Sequence, residues 1–172
     1  MSEELKGKVA VVTGGSNGIG AAAAQMLAAA GASVVVGYNK GLDRAQKVVD
    51  ALPGKGHRAQ QVVLEDSATM KKAADEVRAA YGRCDVLINS AGFTQPVPHA
   101  NLEGLTDALM DSVLIANVRG PFATIRAFGS HTCATTMSGE AFCWGYNLDG
   151  QLGDGTRTHR SRPVYVQRPS AP

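Results

Sequence analysis

The stretch Val9-Ala10-Val11-Val12-Thr13-Gly14-Gly15-Ser16-Asn17-Gly18-Ile19-Gly20 decides the fold. A β-branched run, Val9–Thr13, stops at two glycines, and an alanine-rich run, Ala21–Ala30, follows the last glycine. The first run predicts a strand and the second a helix, which Gly31 would end. Glycines between them let the backbone turn tightly and approach a ligand closely. The helix start then offers free N–H groups and a positive dipole end to an anion. A strand, a glycine-rich loop and a helix in this order form a site for a dinucleotide pyrophosphate. Gly14, Ser16, Asn17, Gly18, Ile19 and Gly20 are therefore the first candidate cofactor-binding residues. The plain alternative is a turn with no ligand.

Outward from this stretch, strands and helices alternate. Ser33–Tyr38 reads as a second apolar strand, and Asp43–Leu52 as a helix closed by Pro53-Gly54. Arg58–Leu64 is a third strand candidate, and Ser67 stands where it would cap a helix over Ala68–Tyr81. Asp85–Asn89 is a fourth strand, and Leu102–Phe128 reads as helical, interrupted near Asn117 and bent at Gly120-Pro121. Apolar strands separated by helices predict an α/β fold, a parallel sheet with helices on both faces. The end of the second strand should show the cofactor choice. It reads Gly37-Tyr38-Asn39-Lys40, with Arg44 one helical turn on. No carboxylate stands there for ribose hydroxyls, and two cations suit a 2′-phosphate, so NADP is expected over NAD. The plain reading of Lys40 and Arg44 is solvated surface charge.

Totals over the chain conceal a seam. The 172 residues are 44% hydrophobic and 19% charged, with a net charge of +2. Such a balance argues against a strongly basic nucleic-acid binder. No run of 18 apolar residues is present, so a membrane span is not expected. The start, MSEELKGKVAVVTGG, lacks a basic-then-apolar signal pattern, so the expected compartment is the cytoplasm. Residues 1–128 hold 23 alanines and residues 129–172 hold 3. Every lysine lies at or before Lys72, while Trp144 and two of the three cysteines lie after residue 128. Net charge is +1 on each side of Phe128–Gly129. Usage changes where charge does not, which predicts two segments, 1–128 and 129–172.

Residues 5–128 resemble the N-terminal half of a classical short-chain dehydrogenase/reductase. Thr13-Gly14-x-x-x-Gly18-x-Gly20 matches that family's cofactor motif, and Asp66 its adenine-contacting acid after strand three. Asn89-Ser90-Ala91-Gly92 is similar to its Asn-Asn-Ala-Gly motif, with Ser90 as a departure. Asn117, in Ala-Asn-Val-Arg-Gly-Pro-Phe, matches an Asn that supports a proton relay. The resemblance implies a Rossmann-type sheet of order 3-2-1-4 and a cofactor site including Asn39, Lys40, Asp66, Asn89, Ala91 and Gly92. Read singly, Asp66 is a helix-start acid, Asn89 a turn former and Asn117 a polar kink residue. The family's hydride chemistry also needs a Tyr-x-x-x-Lys pair and a Ser that holds the oxygen. Tyr38, Tyr81, Tyr146 and Tyr165 precede Leu42, Asp85, Gly150 and Pro169, and no lysine follows Lys72. The resemblance therefore implies a cofactor-binding half without its catalytic half.

The second segment has a different pattern. His131–Met137 and Glu140–Gly145 alternate around Ser138-Gly139, a hairpin signal, and Pro163–Gln167 reads as a last short strand. Residues 129–168 resemble one repeat of the regulator-of-chromosome-condensation type β-propeller. The matching residues include His131-Thr132-Cys133-Ala134, Cys143-Trp144-Gly145, Asn147 and Gly150-Gln151-Leu152-Gly153. A propeller closes only with several blades, and no second copy occurs here. A two-residue turn at Ser138-Gly139 would set Cys133 opposite Trp144, with the thiols on opposite faces, whereas a three-residue loop would bring the two cysteines face to face. Reduced, partly buried thiols are expected, and no set of residues has zinc spacing.

These readings combine into expectations. A partial Rossmann-type half-domain is joined to a C-terminal β-hairpin segment, as in a chimera. It binds NADP in preference to NAD and is catalytically incomplete. The alternatives are an oxidoreductase completed by oligomerisation, and a non-catalytic folding or interaction module without a ligand. The fourth strand would be an apolar open edge, available to the hairpin 131–145 or to another chain. Leu105, Leu109, Val113 and Ala116 offer an apolar helix face, so the expected partner is a second copy, with segment swapping as one form of it.

Overall fold

The computed structural model describes residues 3–128, 131–135 and 141–167. These residues divide between two compact units, Met1–Phe128 and Gly129–Pro172.

Unit 1 is built on a four-stranded parallel sheet. Its strands are β1 (Val9–Thr13), β2 (Ser33–Tyr38), β3 (Arg58–Gln61) and β4 (Val86–Asn89), in the order β3-β2-β1-β4. Val11 lies beside Val35 on one side and Leu87 on the other, which fixes the register. β1 is buried throughout, as its unbroken apolar run requires of a central parallel strand. Helices α1 (Gly18–Ala29), α2 (Leu42–Ala51) and α3 (Ser67–Tyr81) are the crossovers. Ala24 and Ala28 of α1 and Ala45 of α2 pack with Val12, Val34 and Val36 on one face. Met70, Ala73, Ala74 and Val77 of α3 pack with Val9, Val11 and Val35 on the other. Alternate residues of each strand thus feed two separate cores.

Three element boundaries differ from the sequence reading in instructive ways. The cap of α3 is Asp66 rather than Ser67, and the Asp66 carboxylate accepts from the N–H groups of Ala68 and Thr69. Strand β3 ends at Gln61, three residues before Leu64, and beyond it Val62 and Leu64 bury their side chains in the core cluster that includes Met70 and Ala73 of α3. The long helical region is four pieces: a 3-10 turn at Leu102–Gly104, α4 (Asp107–Leu114), a π-helical segment Ile115–Arg119, and α5 (Gly120–Phe128). The interruption expected near Asn117 is that π segment. The apolar face expected at Leu105, Leu109, Val113 and Ala116 is corrected: Ala116 turns inward, Leu109 and Val113 are half-buried, and the exposed large apolar residues of this region are Leu102, Leu105, Met110, Leu114, Val118 and Phe122.

Unit 2 is a three-stranded antiparallel sheet of β5 (His131–Thr135), β6 (Ala141–Gly145) and β7 (Arg160–Tyr165), in that order. The hairpin thus forms a sheet of its own with β7, and the described strands leave β4 paired only with β1. The turn expected at Ser138-Gly139 lies outside the described residues. The register corrects the cysteine expectation: Cys133 faces Cys143 directly, and the two form a disulfide with Cα atoms 4.1 Å apart. The register pairs Thr135 with Ala141, so the connection has an odd number of residues and the thiols share a face. Between β6 and β7, Asn147 is fully buried, and its side-chain NH₂ group lies within donating distance of Asp154, Thr156 and the Thr158 carbonyl. Its Oδ1 accepts from the Leu152 N–H.

Candidate functional site

The carboxyl ends of β1 and β4 lie side by side, with Thr13 opposite Asn89. From β1 the chain turns toward α1 on one face, while α3 delivers β4 from the other. The crevice at this reversal of winding is where open parallel sheets hold ligands. Thr13, buried, ties the two strands together. Its Oγ1 accepts from the N–H groups of Ser90 (3.2 Å) and Ala91 (3.3 Å) and reaches the Ile88 carbonyl as a donor.

The glycine-rich loop is shaped by close backbone approach. Gly14 has φ +65° and a Cβ there would stand 2.7 Å from Ala91 Cα. A Cβ on Gly20 would run into the Gly14 carbonyl. Both positions need glycine for reasons of space, and Gly14 for its backbone angle too. Asn17 precedes α1 in an extended conformation and makes no side-chain cap bond, and the first turn of α1 has no acid. The helix start is thus left for an external anion. Ser16 is half-buried, while Asn17, Gly18 and Ile19 are exposed on the rim.

The flanking candidates sit along the same carboxyl edge of the sheet. Asn39 and Lys40 follow β2, both exposed. The Asn39 carbonyl accepts from Gln61 Nε2, and the Lys40 carbonyl from Arg44 Nη2 at 3.3 Å. Arg44 and Lys40 therefore lie together at the end of β2, as the sequence spacing implied. Asp66, beyond β3, uses Oδ1 as the cap of α3. On the β4 side, Asn89 Oδ1 accepts from the buried Thr124 hydroxyl at 2.6 Å. Asn117 grips the backbone of Phe93 with both atoms: Oδ1 accepts from the Phe93 N–H (2.9 Å), and Nδ2 donates to its carbonyl (2.6 Å). A Cβ on Gly92 would stand 2.8 Å from that Oδ1, so Gly92 lets the clamp close. Arg119 Nη2 donates to the Glu65 carbonyl, tying the π segment to the loop before α3. A π turn of this kind often marks a functional position in a helix.

Sequence reasoning missed Thr124 and Arg119. A threonine or an arginine in a helix carries no signature of what it will reach. Among the described residues no group of three metal-ligating side chains forms. Cys84, the remaining thiol, is pushed up to about 11 by burial and, secondarily, by the Asp85 carboxylate.

Comparison with known proteins now bears on this geometry. The family model for short chain dehydrogenases matches residues 8–139. The chain belongs to the short-chain dehydrogenase family. It is 39% identical to elsinochrome reductase 1 of Elsinoe fawcettii over 132 residues, which are 76% of this chain and 48% of that protein. It is also 39% identical to D-threitol dehydrogenase of Mycolicibacterium smegmatis, over 73% of this chain and 47% of that one. Among solved structures, a dehydrogenase/reductase from Sinorhizobium meliloti superposes with TM-score 0.66 at 40% identity, over 73% of this chain and 50% of that one. A metagenomic short-chain oxidoreductase in complex with NADP superposes with TM-score 0.67 at 36% identity, over 73% and 56% respectively. The chain thus spans about half the length of the short-chain dehydrogenases it matches. A second family model, the Regulator of chromosome condensation (RCC1) repeat, matches residues 138–171. The dehydrogenase match runs past residue 128 and meets the repeat match at 138–139.

Proposed function

We propose that the protein binds a nicotinamide dinucleotide, NADP(H) in preference to NAD(H), and does not itself carry out hydride transfer. The observation that carries the reading is the uncapped, acid-free start of α1 behind a glycine cradle with no room for a Cβ at Gly14 or Gly20. Gly14–Gly20 would hold the pyrophosphate, Lys40 and Arg44 the 2′-phosphate, Asp66 the adenine, and Asn89, Ala91 and Gly92 the nicotinamide side. The bound cofactor would supply a hydride-carrying ring. The NADP-bound family neighbour supports the choice of ligand. The absence of Tyr-x-x-x-Lys anywhere in the chain supports the lack of turnover. Two families in one chain, with a shift in usage at residue 128, support a chimeric origin. The same reading places the protein in the cytoplasm with its ligand pool.

The test is a titration with NADPH and NADH that follows nicotinamide fluorescence. Binding of NADPH at least tenfold tighter than NADH is expected, with Lys40→Ala/Arg44→Ala removing the difference. No binding of either at millimolar concentration would return the chain to a ligand-free interaction module. The exposed apolar residues Met110, Leu114, Val118 and Phe122 favour a second reading, association through this face with other subunits that supply the missing catalytic residues of an oxidoreductase. Turnover over a panel of carbonyl substrates would support it.

A further inference from the structure

We propose that the Cys133–Cys143 disulfide is a redox-operated clamp that decides whether unit 2 holds its sheet. The disulfide joins two directly facing residues of β5 and β6, ten apart in sequence. Among the described strands β5 stands at the edge of its sheet and pairs with β6 alone. β7, on the far side of β6, pairs through an irregular register between Cys143 and Gly145. The buried apolar residues described in unit 2 are Cys143 and Leu152, and the buried polar one is Asn147. A segment of this small size is generally held folded with the help of a covalent or ligand staple. Closing a loop of about ten residues favours the folded state roughly a hundredfold by restricting the unfolded chain.

The bond is also open to attack from one side. Cys133 is exposed while Cys143 is 4% exposed. A thiolate of an external dithiol would attack Cys133 Sγ, breaking the disulfide and leaving the electron pair on Cys143 Sγ, which takes a proton. The second thiol of the same reductant would then attack its own sulfur in the mixed disulfide and free Cys133. The reductant is oxidised to a disulfide, and two electrons reach the protein. The third cysteine, Cys84, is half-buried and keeps its proton at neutral pH, which removes it as an internal competitor. In the reducing cytoplasm the clamp would rest open, and oxidative conditions would close it.

Hydrogen exchange by mass spectrometry on the full 172-residue chain tests the clamp, with and without a dithiol such as dithiothreitol. Thiols are counted in parallel by maleimide tagging after denaturation. One tag is expected on the oxidised chain and three on the reduced chain. Reduction should speed exchange at 131–135 and 141–145 at least tenfold, leave β1 and β2 unchanged, and reverse with oxidised glutathione. The double variant Cys133→Ser/Cys143→Ser should exchange like the reduced wild type in either buffer. Unchanged protection at 131–145 on reduction would overturn the proposal, and so would three tags after oxidation.

Discussion

At Gly14 two constraints meet, a positive φ and a contact with the backbone of Ala91. Gly14→Ala should therefore cost about 1–3 kcal/mol of unit 1 stability. NADPH affinity should fall at least tenfold with it, by fluorescence titration, because the cradle must widen. Gly18, also at positive φ but in open space, should tolerate alanine better in the same assays. Cys84 allows a pH prediction. Its thiol ordinarily ionises near 9, and in the fold near 11. Between those values the unfolded chain loses a proton that the folded chain keeps. Stability should therefore decline as pH rises from 9 to 11, by up to about 2–3 kcal/mol. Urea melts at pH 8, 9, 10 and 11 on wild type and Cys84→Ala separate this effect from tyrosines and lysines, since the variant should lose the excess slope.

Asn117 shows what one side chain can do for an element. Within a π segment, its amide closes a pair of hydrogen bonds on Phe93, the residue after Asn89-Ser90-Ala91-Gly92. Asn117→Ala removes both and should cost about 1–2 kcal/mol, with faster exchange at residues 90–94. Asn117→Asp keeps the acceptor but sets an anion against the Phe93 carbonyl, so it should be no better than alanine by the same readout. The helical interruption here was legible in the sequence as a polar residue in an apolar run, but its partner was not, because the two lie 24 residues apart. The parallel strands were legible because Val9–Thr13 and Ser33–Tyr38 are β-branched runs between glycines, and burial on both faces demands that. The cap at Asp66 was misplaced by one residue, since Asp66 and Ser67 are both good caps and only the backbone geometry separates them. The disulfide turned on the number of residues in a hairpin connection, where a single residue moves a side chain to the other face. His57 and His159 each accept a backbone N–H at Nδ1, from Val34 and Asn147. An imidazole acceptor leaves no periodic trace in a sequence.

The whole molecule joins an α/β unit to a small antiparallel sheet. In unit 1 the exposed stripe Met110, Leu114, Val118 and Phe122 runs at four-residue spacing through α4, the π segment and α5. If that stripe is where copies meet, Leu114→Glu/Val118→Glu should convert the protein to a monomer by light scattering at micromolar concentration. Folding of unit 1 should be unaffected by circular dichroism, because both positions are already exposed. An unaltered mass would sink that assembly. The order of the sheet also sets a timetable for synthesis. β1 leaves the ribosome first, yet it stands second from one edge with β4 as its outer neighbour. The Thr13 hydroxyl must wait for backbone amides 77 and 78 residues downstream. Until β4 is made, the nascent chain carries the apolar run Val9–Val12 with one side of its strand unpaired. Such an unpaired apolar strand is open to pairing with other chains, and slow translation before Val86 would lengthen that exposure.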